Sequence, residues 1–194
     1  MIHHLNGRLT EKSPTYAIIE CNGVGYFLHI SLITSQRIGD SENCKLLVHE
    51  VIREDAHELY GFAEESEREA FRRLISVSGV GASTARMILS SLSTEELVSV
   101  VMQKDVDAFK RIKGIGAKTA QRIIVDLHDK FPGEMGTLEK VVPGGNTLKT
   151  EALTALSSLG FDKTKANKTL DSILKTEADS ISVEELIKLA LKKL

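Results

Sequence analysis

The sequence predicts a multidomain α+β protein: a small β-barrel, then an all-α central domain, then a short helical tail. Short β-branched and aromatic runs crowd residues 1–63. Apolar residues at three- and four-residue spacing take over from residue 64. Proline and glycine then cluster at 132–146, and a second helical pattern follows. The chain has 194 residues, enough for one or two domains at about 150 residues each.

In the first region, Tyr16–Cys21 and Val24–Ile30 read as strands. Asn22-Gly23 between them favours the positive φ angles of a tight hairpin. Lys45–Arg53 is a third strand, with Leu46, Val48 and Ile52 on one face, and Glu58–Phe62 is a shorter fourth. Several short strands within about 60 residues suit a small barrel. His3-His4 reads as the surface of a short strand rather than a metal site.

In the second region, Glu64–Ser76 places Ala70, Phe71, Leu74 and Ile75 on one helical face, with acids in the first turn where the helix dipole favours them. Ser93-Thr94-Glu95-Glu96 has the form of a capping box and opens a helix through Leu97, Val100 and Val101. Residues 132–146 carry two of the three prolines and four glycines, and read as a flexible linker. The tail, 147–194, reads as three helices: Glu151–Leu159 stopped by Gly160, a second capped by Asp162, and a third opened by Ser182-Val183-Glu184-Glu185.

Hydrophobic residues at 42% and charged residues at 27% are ordinary for a folded chain. No stretch approaches the roughly 18 apolar residues of a membrane-spanning helix, and Met1–Arg8 holds no apolar signal core. The expectation is a cytoplasmic protein without membrane contact. Cys21 and Cys44 form no CxxC pair and read as small core residues in a reducing compartment. The histidines and cysteines show no metal-ligand spacing, so neither metal nor cofactor is expected. Net charge is −2, but residues 108–130 hold Lys110, Arg111, Lys113, Lys118, Arg122 and Lys130 against Asp126 and Asp129, a local net of +4. Such a stripe suits positioned phosphate contacts better than a general coating of nucleic acid.

The most informative feature is an internal repeat at a spacing of 35 residues. Val77–Leu89 (VSGVGASTARMIL) aligns with Ile112–Ile124 (IKGIGAKTAQRII), identical at six of thirteen positions. In each copy a helix should end before an apolar-x-Gly-apolar-Gly turn. The glycines permit backbone angles closed to other residues. Val80 or Ile115 should turn inward, and a new helix should start at Ala82 or Ala117. The first N–H groups of that helix lack intrahelical partners and sit at the positive end of its dipole, where an anion is favoured. A backbone phosphate fits there without any base being read. The unit resembles the helix-hairpin-helix motif. Gly114–Thr119 (GIGAKT) is not a nucleotide-binding P-loop, which needs Gly directly before the Lys and another five residues earlier; Ala117 and Ile112 stand there.

Two further segments extend the resemblance to a family. Glu20–Tyr26 (ECNGVGY) and Val51–Phe62 (VIREDAHELYGF), together with the paired hairpins, resemble the RuvA family, DNA-binding subunits of the bacterial Holliday-junction branch-migration complex. The resemblance implies an OB-like barrel at 1–63, a double helix-hairpin-helix domain at 64–131 and a small three-helix domain at 147–194. It implies a homotetramer that holds a four-way DNA junction open and square, without catalysis of its own, in recombination and repair. The tail would dock the hexameric ATPase RuvB, and the resolvase RuvC would join the same complex. Phosphate contacts would come from Gly79, Val80, Gly81, Ser83 and Thr84 in the first hairpin. Gly114, Ile115, Gly116, Lys118, Thr119 and Arg122 would supply them in the second. On the residues alone Glu54 and Asp55 fit a solvated turn; the resemblance makes them an acidic pin at the junction centre. Ser83 departs from the family, which often has a basic residue there. The first hairpin must then rely on amides, Thr84 and Arg86, and should bind phosphate less strongly. Two alternatives stay open: a repair nuclease or glycosylase using the hairpins as a clamp, and a tail that only stabilises the oligomer.

Overall fold

The structure is a computed structural model that describes residues 1–39, 41–128, 130, 147–176 and 181–194. They belong to two compact units, within Met1–Gly136 and within Thr137–Leu194. The linker expected at 132–146 lies outside the described residues.

Five strands open the first unit: β1 (His4–Ser13), β2 (Tyr16–Cys21), β3 (Val24–Ile30), β4 (Asn43–Ile52) and β5 (His57–Phe62). They close a barrel in the order β1-β2-β3-β5-β4. All pairs are antiparallel except β3 with β5. Alternate residues fill the interior, among them Ala17, Ile19, Leu28, Ile30, Leu46 and Val48. Asn22 and Gly23 take φ of 50° and 83°, as the hairpin requires. A short helix, α1 (Leu32–Arg37), follows β3, capped by the Ser31 hydroxyl.

Two expectations are corrected. Leu46 and Val48 are buried, but Ile52 is 71% exposed, because β4 runs past the barrel end into its turn and leaves the core behind. Cys44 is buried as expected, whereas Cys21 is only half-buried, its thiol donating to the Asn6 carbonyl at 3.4 Å.

The helices α2 (Glu65–Ile75), α3 (Ala82–Ser91), α4 (Thr94–Met102), α5 (Val106–Lys110) and α6 (Ala117–His128) share one core with the end of β5. The Ser93–Glu96 capping box forms as expected. Helix α2 joins this layer to the barrel. Phe71 is fully buried against the rings of His49, Tyr60 and Phe62, at 5.4, 5.0 and 5.0 Å between centroids. Beside it lie two buried charges. Glu67 accepts hydrogen bonds from the hydroxyls of Ser31 and Thr34. Arg68 donates to the carbonyls of His3 at 2.9 Å and Val48 at 3.4 Å.

The second unit holds α7 (Thr147–Ser158), α8 (Lys163–Thr176) and α9 (Val183–Leu191) around Ala152, Leu156, Ala166, Leu170, Ile173, Leu186 and Ala190. Its first helix begins at Thr147, earlier than the expected Glu151. The other signals hold: Gly160 has φ of 91°, Asp162 accepts from the Lys165 N–H at 2.8 Å, and Ser182 and Glu185 cap each other's backbone.

Candidate nucleic-acid interface

The two repeats fold into the same turn. The N–H of Val80 donates to the Val77 carbonyl at 3.0 Å, and that of Ile115 to Ile112 at 3.1 Å. Gly79 and Gly114 take φ of 90° and 89°. Val80 and Ile115, each 5% exposed, turn into the core. The following helices then start alike, with Ala85 donating to Gly81 and Ala120 to Gly116, both at 2.9 Å. The N–H groups of Ala82, Ser83 and Thr84, and of Ala117, Lys118 and Thr119, precede the first helical bond and have no backbone acceptor among the described residues.

The outer surface of both loops is open. A Cβ built on Gly79, Gly81, Gly114 or Gly116 would meet nothing within 4 Å. Gly79 and Gly114 are explained by their positive φ. Gly81, with φ of −87°, is required neither by its backbone nor by its neighbours. A glycine there leaves room for something that approaches from outside.

Charge is distributed unequally over the repeats. Lys113 and Lys118 are exposed and have no ion pair among the described residues. Lys110 is paired with Asp107 at 2.7 Å, and its ammonium holds that carboxyl below its usual range. Arg122 is exposed, its Nη1 donating to the Ser78 hydroxyl at 3.1 Å. The first loop has Ser78 and Ser83 where the second has Lys113 and Lys118. Arg86, expected to assist the first loop, instead donates from Nη1 to the Thr15 carbonyl in the barrel at 2.9 Å. Thr84 and Thr119 are half-buried at matching places. Lys113 belongs to the basic stripe at 108–130 and is not among the expected phosphate contacts. Its signal was its place directly before Gly114 in the repeat.

Glu54 and Asp55 occupy the β4–β5 turn, closed by backbone bonds between Arg53 and Ala56 at 2.8 and 3.4 Å. Both are exposed, and neither carboxylate has a partner among the described residues. Arg53 alongside is bound to Glu58 at 2.7 Å. No hydrogen bond or ion pair among the described residues joins this turn to either hairpin. No group of three or more His, Cys, Asp or Glu among them is placed to hold a metal ion, and no helix is long and apolar enough to cross a membrane.

Comparison with known proteins gives three matches along the chain. Residues 1–61 match the family described as the RuvA N terminal domain, 71–129 the SAM-like helix-hairpin-helix tandem, and 147–194 the RuvA C-terminal domain. A protein of Christiangramia forsetii named "Holliday junction branch migration complex subunit RuvA" is 55% identical over 194 residues, covering 100% of both chains. Proteins of the same name from Bacteroides thetaiotaomicron and Cytophaga hutchinsonii are 49% and 42% identical, over 100% and 99% of each chain.

Proposed function

The chain belongs to the RuvA family, and from that premise we propose that it binds four-way DNA junctions without reading sequence, as a non-catalytic subunit of a branch-migration complex. The observation that carries this reading is the pair of open loops with unpartnered amides, built alike 35 residues apart. Amide donors and a helix dipole bind a phosphate diester whatever base it carries. Sequence independence is what a sliding junction needs, since every base pair must pass the same site. The contacts are Gly79, Val80, Gly81, Ser83 and Thr84 in the first loop. The second repeat supplies Gly114, Ile115, Gly116, Lys118, Thr119 and Arg122.

Four copies around a fourfold axis match the four arms, and bring Glu54 and Asp55 together at the centre as a pin. A carboxylate about 5 Å from a phosphate is repelled by roughly 1 kcal/mol in water and roughly 3 kcal/mol at an effective dielectric near 20. That is too little to prevent binding and enough to steer strands away from the centre. The three-helix tail docks the hexameric ATPase RuvB, which supplies the ATP hydrolysis, and RuvC resolves the junction in the same cytoplasmic complex.

Eight loops in a tetramer, each neutralising about one phosphate, give a slope of log K against log salt near −7. Filter binding with a synthetic four-way junction measures it, and a slope shallower than about −3 counts against eight sites. The alternative, a repair nuclease or glycosylase, is not favoured by the names of the relatives. A labelled junction that is cut or loses a base, with or without Mg²⁺, would restore it.

A further inference from the structure

The first loop has lost its own cations. At the three places where the second repeat carries Lys113, Lys118 and Arg122, the first carries Ser78, Ser83 and Met87. Its one remaining arginine, Arg86, is tied to the barrel through Thr15. Arg122 nevertheless stands at that loop. Although it belongs by sequence to the second repeat, its Nη1 donates to the Ser78 hydroxyl at 3.1 Å and the Ser78 carbonyl at 3.4 Å. Ser78 immediately precedes Gly79. The guanidinium has five N–H donors, and those on Nε and Nη2 have no protein partner among the described residues. Eight residues on, Lys130 lies the same way, its Nζ donating to the Ser76 hydroxyl at 3.0 Å. The side of α6 that carries Arg122 therefore runs along the first loop.

We propose that Arg122 is the cation of the first phosphate site, lent across the repeat by α6, and that Lys118 alone serves the second as its helix-borne cation. This deepens the proposed function and rests on the loops binding phosphate. Planar guanidinium donors suit the task, because one edge can stay on Ser78 while the other faces a phosphate oxygen. The exchange also couples the sites: the two loops cannot separate without Arg122 leaving one of them.

The test measures junction binding against salt for the full chain, for Arg122→Gln, for Lys118→Gln, and for each combined with Ser83→Lys. Losing one neutralised phosphate removes about 0.9 per subunit from the slope of log K against log salt. Arg122→Gln is expected to show that loss, and Ser83→Lys to restore it by placing a lysine where Lys118 stands in the other repeat. The loss from Lys118→Gln should stay unrepaired. Rescue of Lys118→Gln instead, or no loss from Arg122→Gln while Lys118→Gln still loses, overturns the assignment. A double-mutant cycle decides where no rescue is seen. Arg122→Gln should be non-additive with Gly81→Ala and additive with Gly116→Ala, and the reverse pattern overturns the proposal. If neither cation matters to salt dependence, the phosphate reading of both loops fails, an outcome distinct from a misplaced Arg122.

Discussion

Gly79 and Gly81 stand two residues apart and are glycines for different reasons. Gly79 holds φ of 90° in empty surroundings, so an added methyl strains the backbone and clashes with nothing. Gly79→Ala is therefore expected to cost about 1–2 kcal/mol of stability, read as a lowered urea midpoint. Gly81 has an ordinary φ and open space, so Gly81→Ala should leave stability within about 0.5 kcal/mol. Its methyl would stand where a phosphate approaches the amides, so junction binding should weaken while the melt does not move. A Gly81→Ala variant that binds DNA normally would remove the first loop from the interface. Glu54→Gln with Asp55→Asn is expected to strengthen binding to plain duplex and reduce the preference for four-way junctions, compared by gel shift. At this scale the repeat made the inward Val80 and Ile115 and the helix starts at Ala82 and Ala117 legible. It did not reveal Arg86 on the barrel or Arg122 on the opposite loop, since a long side chain's partner depends on how separate helices pack.

Helix α2 shows what periodicity reads and what it leaves out. Its apolar face was plain from Ala70, Phe71, Leu74 and Ile75, and these residues lie in or against the shared core. Its polar face was not plain, because Glu67 and Arg68 look like ordinary surface charges until tertiary contacts bury them. The same gap hid α1, six residues long, whose cap Ser31 and whose Thr34 bond to Glu67. Of β1 only the start at His3-His4 was legible, because its pattern is mixed and Gly7, where a Cβ would stand 2.2 Å from the Glu20 carbonyl oxygen, interrupts it. In contrast, Asn22-Gly23 set β2 and β3 to the residue. Phe71 fills the seam between barrel and helices, so Phe71→Ala should cost about 3–5 kcal/mol by chemical denaturation. His49, packed on that ring, makes the seam acid-sensitive. Burial, then the nearby Arg72 and Arg68, hold its imidazole below the ordinary value, against a smaller opposing pull from Glu50. The unfolded chain thus takes up the proton first, and this contribution is full above about pH 6.5 and lost as pH falls below it. Glu67 acts in the opposite sense. Burial raises its carboxyl, opposed by the Ser31 and Thr34 hydroxyls and Arg37 and assisted by Glu64, so its contribution declines as pH rises from about 4.3. His49→Gln should flatten the loss of stability between pH 7.5 and 5.5. It should not abolish it, because burial and Arg86 also lower His29 against a weaker pull from Glu58. An unchanged slope would place the acid sensitivity elsewhere.

Across the whole molecule, charge and core are divided along the chain in a way that suggests a division of labour. Residues 1–63 carry 5 basic and 8 acidic groups, residues 64–131 carry 11 and 10, and residues 132–194 carry 9 and 9. Base is scarce in the first region, and the basic stripe at 108–130 runs through the second of the two loops. The tail has no such bias, but it closes its own apolar cluster in 48 residues, close to the lower limit of about 40 for independent folding. Leu148, Leu159 and Leu191 stay at 41%, 61% and 41% exposure, apolar surface that a domain this small can offer to a protein partner. If the tail is a docking module, deleting 147–194 should leave the melting of the first unit, the tetramer and the salt slope on junctions unchanged, and abolish stimulation of the ATPase motor. Thermal melting, sedimentation, the salt titration and ATP turnover read the four separately. A truncated chain that sediments as a monomer would assign the tail to assembly instead. The weaker junction binding that followed would then reflect fewer loops per particle, since every loop residue would still be present.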